Sequence, residues 1–197
     1  MLKKVSDELG LNAVRCEGEA ALYGPKLDFM FKDALGREIQ IPTVQLDFAT
    51  PKRFGLFYID ENGEKQVPVM VHRAVLGSYE RFIMLLLEQF KGVLPIWLSP
   101  VQVNIIPVNV KYHDEYCNKI LGSLLDCDIR ASYDNSKERM SKKIQESINM
   151  KNPITVIIGD NERDNNLVSF RKLGSDENIS LPLEDFIEEI KKLIKQR

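Results

Sequence analysis

Cysteine is scarce in this 197-residue sequence, which has only Cys16, Cys117 and Cys127. They are widely spaced and form no C-x-x-C. That argues against a disulfide framework or a self-contained structural zinc site and points to a reducing setting. Histidine is scarcer still, with only His72 and His113. Net charge is also small, at −2, so overall charge announces no nucleic-acid partner, although it leaves room for a local basic patch. No apolar run reaches membrane-span length, and "MLKKVSDELG" has no apolar signal core. The sequence therefore reads as cytoplasmic, with no membrane partner. Neither G-x-G-x-x-G nor G-x-x-x-x-G-K-[ST] occurs, and no spacing supports Ser-His-Asp or Cys-His catalysis. Internal repeats and low-complexity tracts are absent as well.

What is present is ordinary globular material. Hydrophobic residues make up 44% and charged residues 28%, which excludes a disordered or fibrous chain. Residues 4–11 have the pattern of a short amphipathic helix. "KLDFMFKDALGREIQIPTVQLDF" alternates around Ala34-Leu35-Gly36, as a hairpin does. "RFGLFYIDENGEKQVPVMV" repeats the pattern, with Glu61-Asn62-Gly63 as its turn. An antiparallel sheet leading into one helix over 79–91 follows. On that helix Phe82, Leu86 and Phe90, with Ile83 and Leu87 beside them, predict a buried face. "GVLPIWLSP" then reads as a packed linker. Beyond it strands alternate with helices over 113–126 and 137–150, and a helix closes the chain. The fold class is α+β followed by an α/β layer.

Several residues invite chemistry. Gly77 permits a sharp turn and Ser78 can cap the next helix, so Arg81 falls in the first turn beside free backbone N–H groups. Such an arginine suits a polyphosphate or carboxylate, and equally a surface pair with Glu80. His72 lies on an apolar strand, where a satisfied core histidine is the commoner outcome and a metal ligand needs companions. Gly24-Pro25 forms a turn that could present Tyr23 and Lys26 at a pocket rim. Gln40, Thr43 and Gln45 set uncharged hydrogen-bonding groups around Pro42 on one strand, either for recognition or on an exposed face. Lys137, Arg139, Lys142, Lys143 and Lys151 make a locally basic helix, suited to solvent or to a phosphate backbone. Glu162 and Arg171 fall near strand ends, where polar groups can read single-stranded bases.

Taken together, "EGEAALYGPKLDF", "TVQLDF", "PKRFGLFY", "PVMVHRAVLGSYERF" and "LPIWLSPVQV" resemble the threonyl-tRNA synthetases, class II aminoacyl-tRNA synthetases, over essentially the whole chain. "HRA…GS.ERF" is similar to that family's motif 3. The resemblance implies an antiparallel class II sheet remnant over residues 1–98 and a mixed-sheet anticodon-binding domain over 99–197. It implies ATP-dependent activation of threonine and transfer to tRNA(Thr). It casts Arg81 as the ATP clamp and Gln45 as a residue near the transfer chemistry. Tyr23, Lys26 and Ser78 become substrate-binding residues, and Gln40 and Thr43 neighbours of the adenylate. His72 becomes one ligand of a zinc ion that recognises the threonine hydroxyl, a bond that valine cannot make. Glu162, Arg171, Lys137, Lys143 and Lys151 become anticodon contacts.

The resemblance also implies what does not lie among these residues. The other two zinc ligands, motif 1 of the dimer interface, motif 2 and the editing domain all precede Met1 in that family. The expectations are a homodimer for the intact enzyme, and for this chain alone a monomer or weak association without activity. The chain also departs from the family pattern at Lys137, Ser141 and Gln145, which puts particular anticodon hydrogen bonds in question. Two alternatives stay open: a non-catalytic tRNA-binding remnant and a subunit of a split enzyme.

Overall fold

The computed structural model describes residues 2–196; Met1 and Arg197, the outer limits of the two expected domains, lie outside them. The chain divides into two units, Met1–Gln89 and Phe90–Arg197. The division falls earlier than the expected end of the linker because the "GVLPIWLSP" segment is bonded into the second unit. There Arg130 donates to the carbonyls of Ser99 (3.0 Å) and Trp97 (2.9 Å), and Gln102 donates to that of Ile96 (2.9 Å).

In the first unit the elements are α1 (Leu2–Glu8), β1 (Lys26–Lys32), β2 (Glu38–Asp47), α2 (Thr50–Arg53), β3 (Tyr58–Ile59), β4 (Lys65–Gln66), β5 (Met70–Ala74) and α3 (Tyr79–Gln89). Strands β1, β2 and β5 form an antiparallel sheet in that order. The β1–β2 turn is closed by Asp33, whose carboxylate accepts from the backbone N–H groups of Leu35 (2.9 Å) and Arg37 (2.8 Å). Asp60 does the same for the turn between β3 and β4, accepting from Asn62 and Glu64 at 2.9 Å. That second hairpin is a separate two-stranded ribbon.

The pairing of β1 with β2 slips once. Asp28 faces Thr43 and Met30 faces Gln40, so two steps on β1 match three on β2. The extra residue falls at Ile41-Pro42, where the missing proline N–H costs the ladder least.

The buried face expected on α3 is not found: no residue of that helix is buried, and Ile83, Met84 and Leu87 are exposed. The periodicity is correct and Phe82 and Leu86 are half-buried, but no described residue of this unit covers the face fully. Among the described residues of the unit, Ile41, Leu46 and Pro51 are buried, while Phe31, Phe54, Phe57 and Val71 are exposed.

The second unit closes a core of its own. Its elements are β6 (Val103–Pro107), α4 (Val110–Leu125), β7 (Ala131–Tyr133), α5 (Met140–Asn149), β8 (Ile154–Ile158), α6 (Asp160–Asn165), β9 (Leu167–Lys172), β10 (Ile179–Pro182) and α7 (Leu183–Lys195). The sheet order is β10-β9-β8-β6-β7. Strands β7, β6 and β8 are parallel, and β9 and β10 return antiparallel. Val103, Ile105, Val156 and Phe170 meet Ile120 and Leu124 of α4 and Phe186 and Ile190 of α7 in one core. The rings of Phe170 and Phe186 stand 4.9 Å apart and tilted. His113 is part of this scaffold. It is buried, accepts from the Asn109 N–H through Nδ1 (3.1 Å), and so carries its proton on Nε2, facing Asp160 at 3.2 Å.

Candidate functional site

Cross-strand partners share a face, so the pairs Lys26–Gln45, Asp28–Thr43 and Gln45–His72 place those side chains on one side of the β1–β2–β5 sheet. The slip in register brings Gln40 to the same side. Hydrogen bonds then join them. Asp28 accepts from Thr43 (2.6 Å) and Gln40 (2.8 Å) through Oδ1 and from Lys26 (2.5 Å) through Oδ2. Gln45 donates to the Thr43 hydroxyl (3.3 Å), and the Tyr23 hydroxyl donates to the Gln45 carbonyl oxygen. Burial works against the charge of Asp28, but the hydrogen bonds from Lys26 and Thr43 outweigh it and hold the carboxyl below its usual range. The bond to Asp28 in turn raises the pKa of Lys26.

Tyr23 reaches this face because Gly24 lies against β2. A side chain there would put its Cβ 2.0 Å from the Leu46 carbonyl oxygen, so only glycine fits.

His72 stands 5.5 Å from the Tyr23 ring, and its Nε2 meets Asp47 Oδ2 at 2.9 Å. Asp47 is nearly inaccessible and also accepts from the backbone of Ala49 (3.0 Å) and Thr50 (2.8 Å). Burial disfavours its charge, yet hydrogen bonds from Thr50, His72 and Ala49 hold its carboxyl far below the usual range. A carboxylate bonded to an imidazole in this way orients the ring. A zinc site needs more. Among the described residues no three His, Cys, Asp or Glu side chains converge on a metal position, so the residues present do not themselves fit zinc.

Arg81 joins the same region. Its backbone N–H donates to the Ser78 hydroxyl (3.3 Å), which caps α3, and its guanidinium donates to the Gln40 carbonyl at 2.7 Å. Gly77 takes φ +68° at this turn, and a Cβ there would lie 3.1 Å from the Ile41 carbonyl oxygen. A glycine-made turn thus sets the arginine against the strand that carries Gln40.

In the second unit the expected anticodon residues do not form one cluster. Lys137 is exposed in the bend before α5, while Lys151 is exposed beyond its other end. About 15 Å of helix separates the two ends. Ser141 and Gln145 are exposed on α5. Lys143 is the correction: it is 2% exposed, donates to the Asp134 carbonyl (2.9 Å) and sits 3.7 Å from that carboxylate. It lies on the packed side of a strongly amphipathic helix, so it is a strut and not part of a solvated basic face. Glu162 caps α6 through the Gly159 N–H (2.9 Å) and accepts from Ser169 (2.8 Å). Arg171 lies two residues from Ser169 on β9, so both share a face, and its Nε is buried without a partner among the described residues.

Asp28 and Asp47 were missed from the sequence. The signal was available: each lies two residues from a singled-out strand residue, Lys26 and Gln45, and so on the same face.

Comparison with known proteins supplies the class. Residues 2–90 match the family described as tRNA synthetase class II core domain (G, H, P, S and T), and residues 102–193 match the anticodon binding domain. With its antiparallel sheet and following mixed sheet, the chain carries the end of a class II aminoacyl-tRNA synthetase core followed by an anticodon-binding domain. More narrowly, it corresponds to the C-terminal region of the threonyl-tRNA synthetases. It is 50% identical over 190 residues to a threonine–tRNA ligase of Lactobacillus acidophilus, covering 96% of this chain and 30% of that protein. It is 42% identical over 196 residues to that of Anoxybacillus flavithermus, again covering 30% of the relative. The RNA binding domain of a threonyl-tRNA synthetase from Cryptosporidium parvum superposes with TM-score 0.83 at 36% identity, over 98% of this chain and 48% of that one. The chain thus spans about 30% of the length of the curated relatives it matches.

Proposed function

We propose that this chain supplies part of the aminoacylation site and the anticodon-reading unit of a threonine–tRNA ligase. The observation that carries this reading is the convergence of Tyr23, Lys26, Gln40, Thr43, Gln45 and His72 on one face of one sheet, with Arg81 bonded to its edge. Those are the positions at which the sequence resembles the substrate site of that family.

The chemistry is one of position and charge. Arg81, fixed by Gln40 at the start of α3, offers a planar cation to the triphosphate of Mg–ATP. Gln40 and Thr43 line the nucleotide side. Tyr23, Lys26 and Ser78 hold the amino acid, and Gln45 lies near the bond-making carboxyl group. Threonine is activated to threonyl-adenylate with release of pyrophosphate and then passed to the tRNA 3′ end. His72 is the one imidazole this chain would offer to zinc, with its Nε2 held by Asp47. In the second unit Glu162, Arg171, Lys137 and Lys151 contact the anticodon strand, and Arg171 Nε is a buried donor without a partner among the described residues.

The experiment is a chimera in which this chain replaces the matching region of the Lactobacillus acidophilus relative. Threonine-dependent ATP–pyrophosphate exchange is expected in the chimera and not in the isolated chain. A soluble chimera without exchange overturns the reading.

A further inference from the structure

Five of the residues assigned to the substrate site are tied into a single hydrogen-bonded chain by a sixth that carries no assigned role. Asp28 accepts from three of them: Lys26 Nζ, Gln40 Nε2 and Thr43 Oγ1. The remaining two follow in series, Gln45 donating to Thr43 and Tyr23 donating to Gln45. We infer that Asp28 is the positioning residue of this site, fixing the donor and acceptor sense of every link as far as Tyr23.

An ionised carboxylate only accepts. Facing Asp28, the Thr43 hydroxyl must point its proton at the carboxylate. Its lone pairs then face Gln45, which can answer only with its amide N–H₂. That choice turns the Gln45 carbonyl oxygen toward Tyr23, and the Tyr23 hydroxyl must give its proton inward. The outward side of the phenolic oxygen is left as an acceptor, ready for an N–H or O–H donor on a bound ligand. Without the carboxylate, hydroxyls and amides of this kind can reverse together, and the rim loses its fixed polarity. The same carboxylate holds Lys26 in a short ion pair whose members are 24% and 17% exposed, so neither group is free to swing. The backbone builds the arrangement: Asp28 is opposite Thr43 in register, and the slip at Ile41-Pro42 adds Gln40 to the set.

This inference rests on the proposed synthetase reading, and the test separates the two. In the chimera described above, Asp28→Asn and Tyr23→Phe are made singly and together, and kcat/KM for exchange is measured with the thermal midpoint of each protein. Asparagine keeps the shape and presents a donor where three donors already converge. Each single variant is expected to lose about tenfold or more. Asp28 and Tyr23 are linked only through Gln45 and Thr43, so an ordinary packing role predicts losses that multiply. A relay predicts that the double variant falls little below the worse single one. Multiplying losses overturn the inference while leaving the synthetase reading intact. An inactive parent chimera overturns the reading, and the inference with it. Should the Asp28→Asn protein fail to fold, Thr43→Val cuts the same relay one link further on, and the same cycle with Tyr23→Phe decides: coupled losses support the relay and multiplying losses reject it.

Discussion

At the residue scale the site depends on two buried or half-buried carboxylates that hold neutral and cationic groups in place. Asp47 steadies His72, and its carboxyl is kept far below the ordinary range by bonds from Thr50, His72 and Ala49 that exist only in the folded chain. A depressed folded pKa contributes stability above the unfolded value of about 3.9 and loses it as pH falls through the folded value. Melting temperature followed from pH 6 downward is therefore expected to hold until about pH 4 and then drop. Asp47→Asn should flatten that acid limb. An unchanged limb in the variant counts against the Asp47 network. Arg81 carries a different prediction. Its planar guanidinium meets both the Gln40 carbonyl and, on the proposed function, the nucleotide phosphates. Arg81→Lys keeps the charge but loses the fork, so exchange by the chimera should fall about a hundredfold, with a normal melting temperature. Full activity in Arg81→Lys contradicts the clamp.

At the scale of elements, what the sequence made legible follows from local rules. The hairpin around Ala34-Leu35-Gly36, the Glu61-Asn62-Gly63 turn and the Ser78 cap were readable because each depends on a few neighbouring residues. The central strand of the second unit was readable from "PITVIIGD" because both its faces are buried. The face of α3 was read correctly as apolar and wrongly as buried. Periodicity reports which side is greasy, while burial depends on what else is present to cover it. Lys143 shows the same limit from the polar side. Charge composition marked the segment as basic, but the helix phase turns this lysine inward toward Asp134. Salt dependence of tRNA binding separates the two roles. Lys137→Ala should reduce the slope of log K against log[salt] by about one unit, and Lys143→Met should leave it unchanged. Equal losses of slope contradict the strut.

At the scale of the whole molecule the two units differ in completeness. The second buries a continuous core between its sheet and α4 and α7. Among its described residues the first buries only Ile41 and Leu46 of the large apolar side chains while exposing Ile83, Met84 and Leu87 on α3, and Phe54 and Phe57 after β2. An exposed apolar surface of that extent fits a unit that is finished by further protein. The relatives, of which this chain covers 30%, are long enough to supply it. The site follows the same division. The groups proposed for phosphate and amino-acid contact lie on or beside a sheet with few buried neighbours, and those proposed for RNA lie on a self-sufficient scaffold.

The most direct test of this account is charging of tRNA by the chimera with labelled threonine, using tRNA(Thr) and the same tRNA with its anticodon exchanged for an unrelated one. The account predicts threonyl-tRNA formation on the first and a loss of at least about tenfold on the second, since one mismatched contact set costs on the order of 1–3 kcal/mol. Equal charging of both contradicts an anticodon-reading second unit. Failure to charge either, by a chimera that is folded and soluble, contradicts the assignment of the site itself.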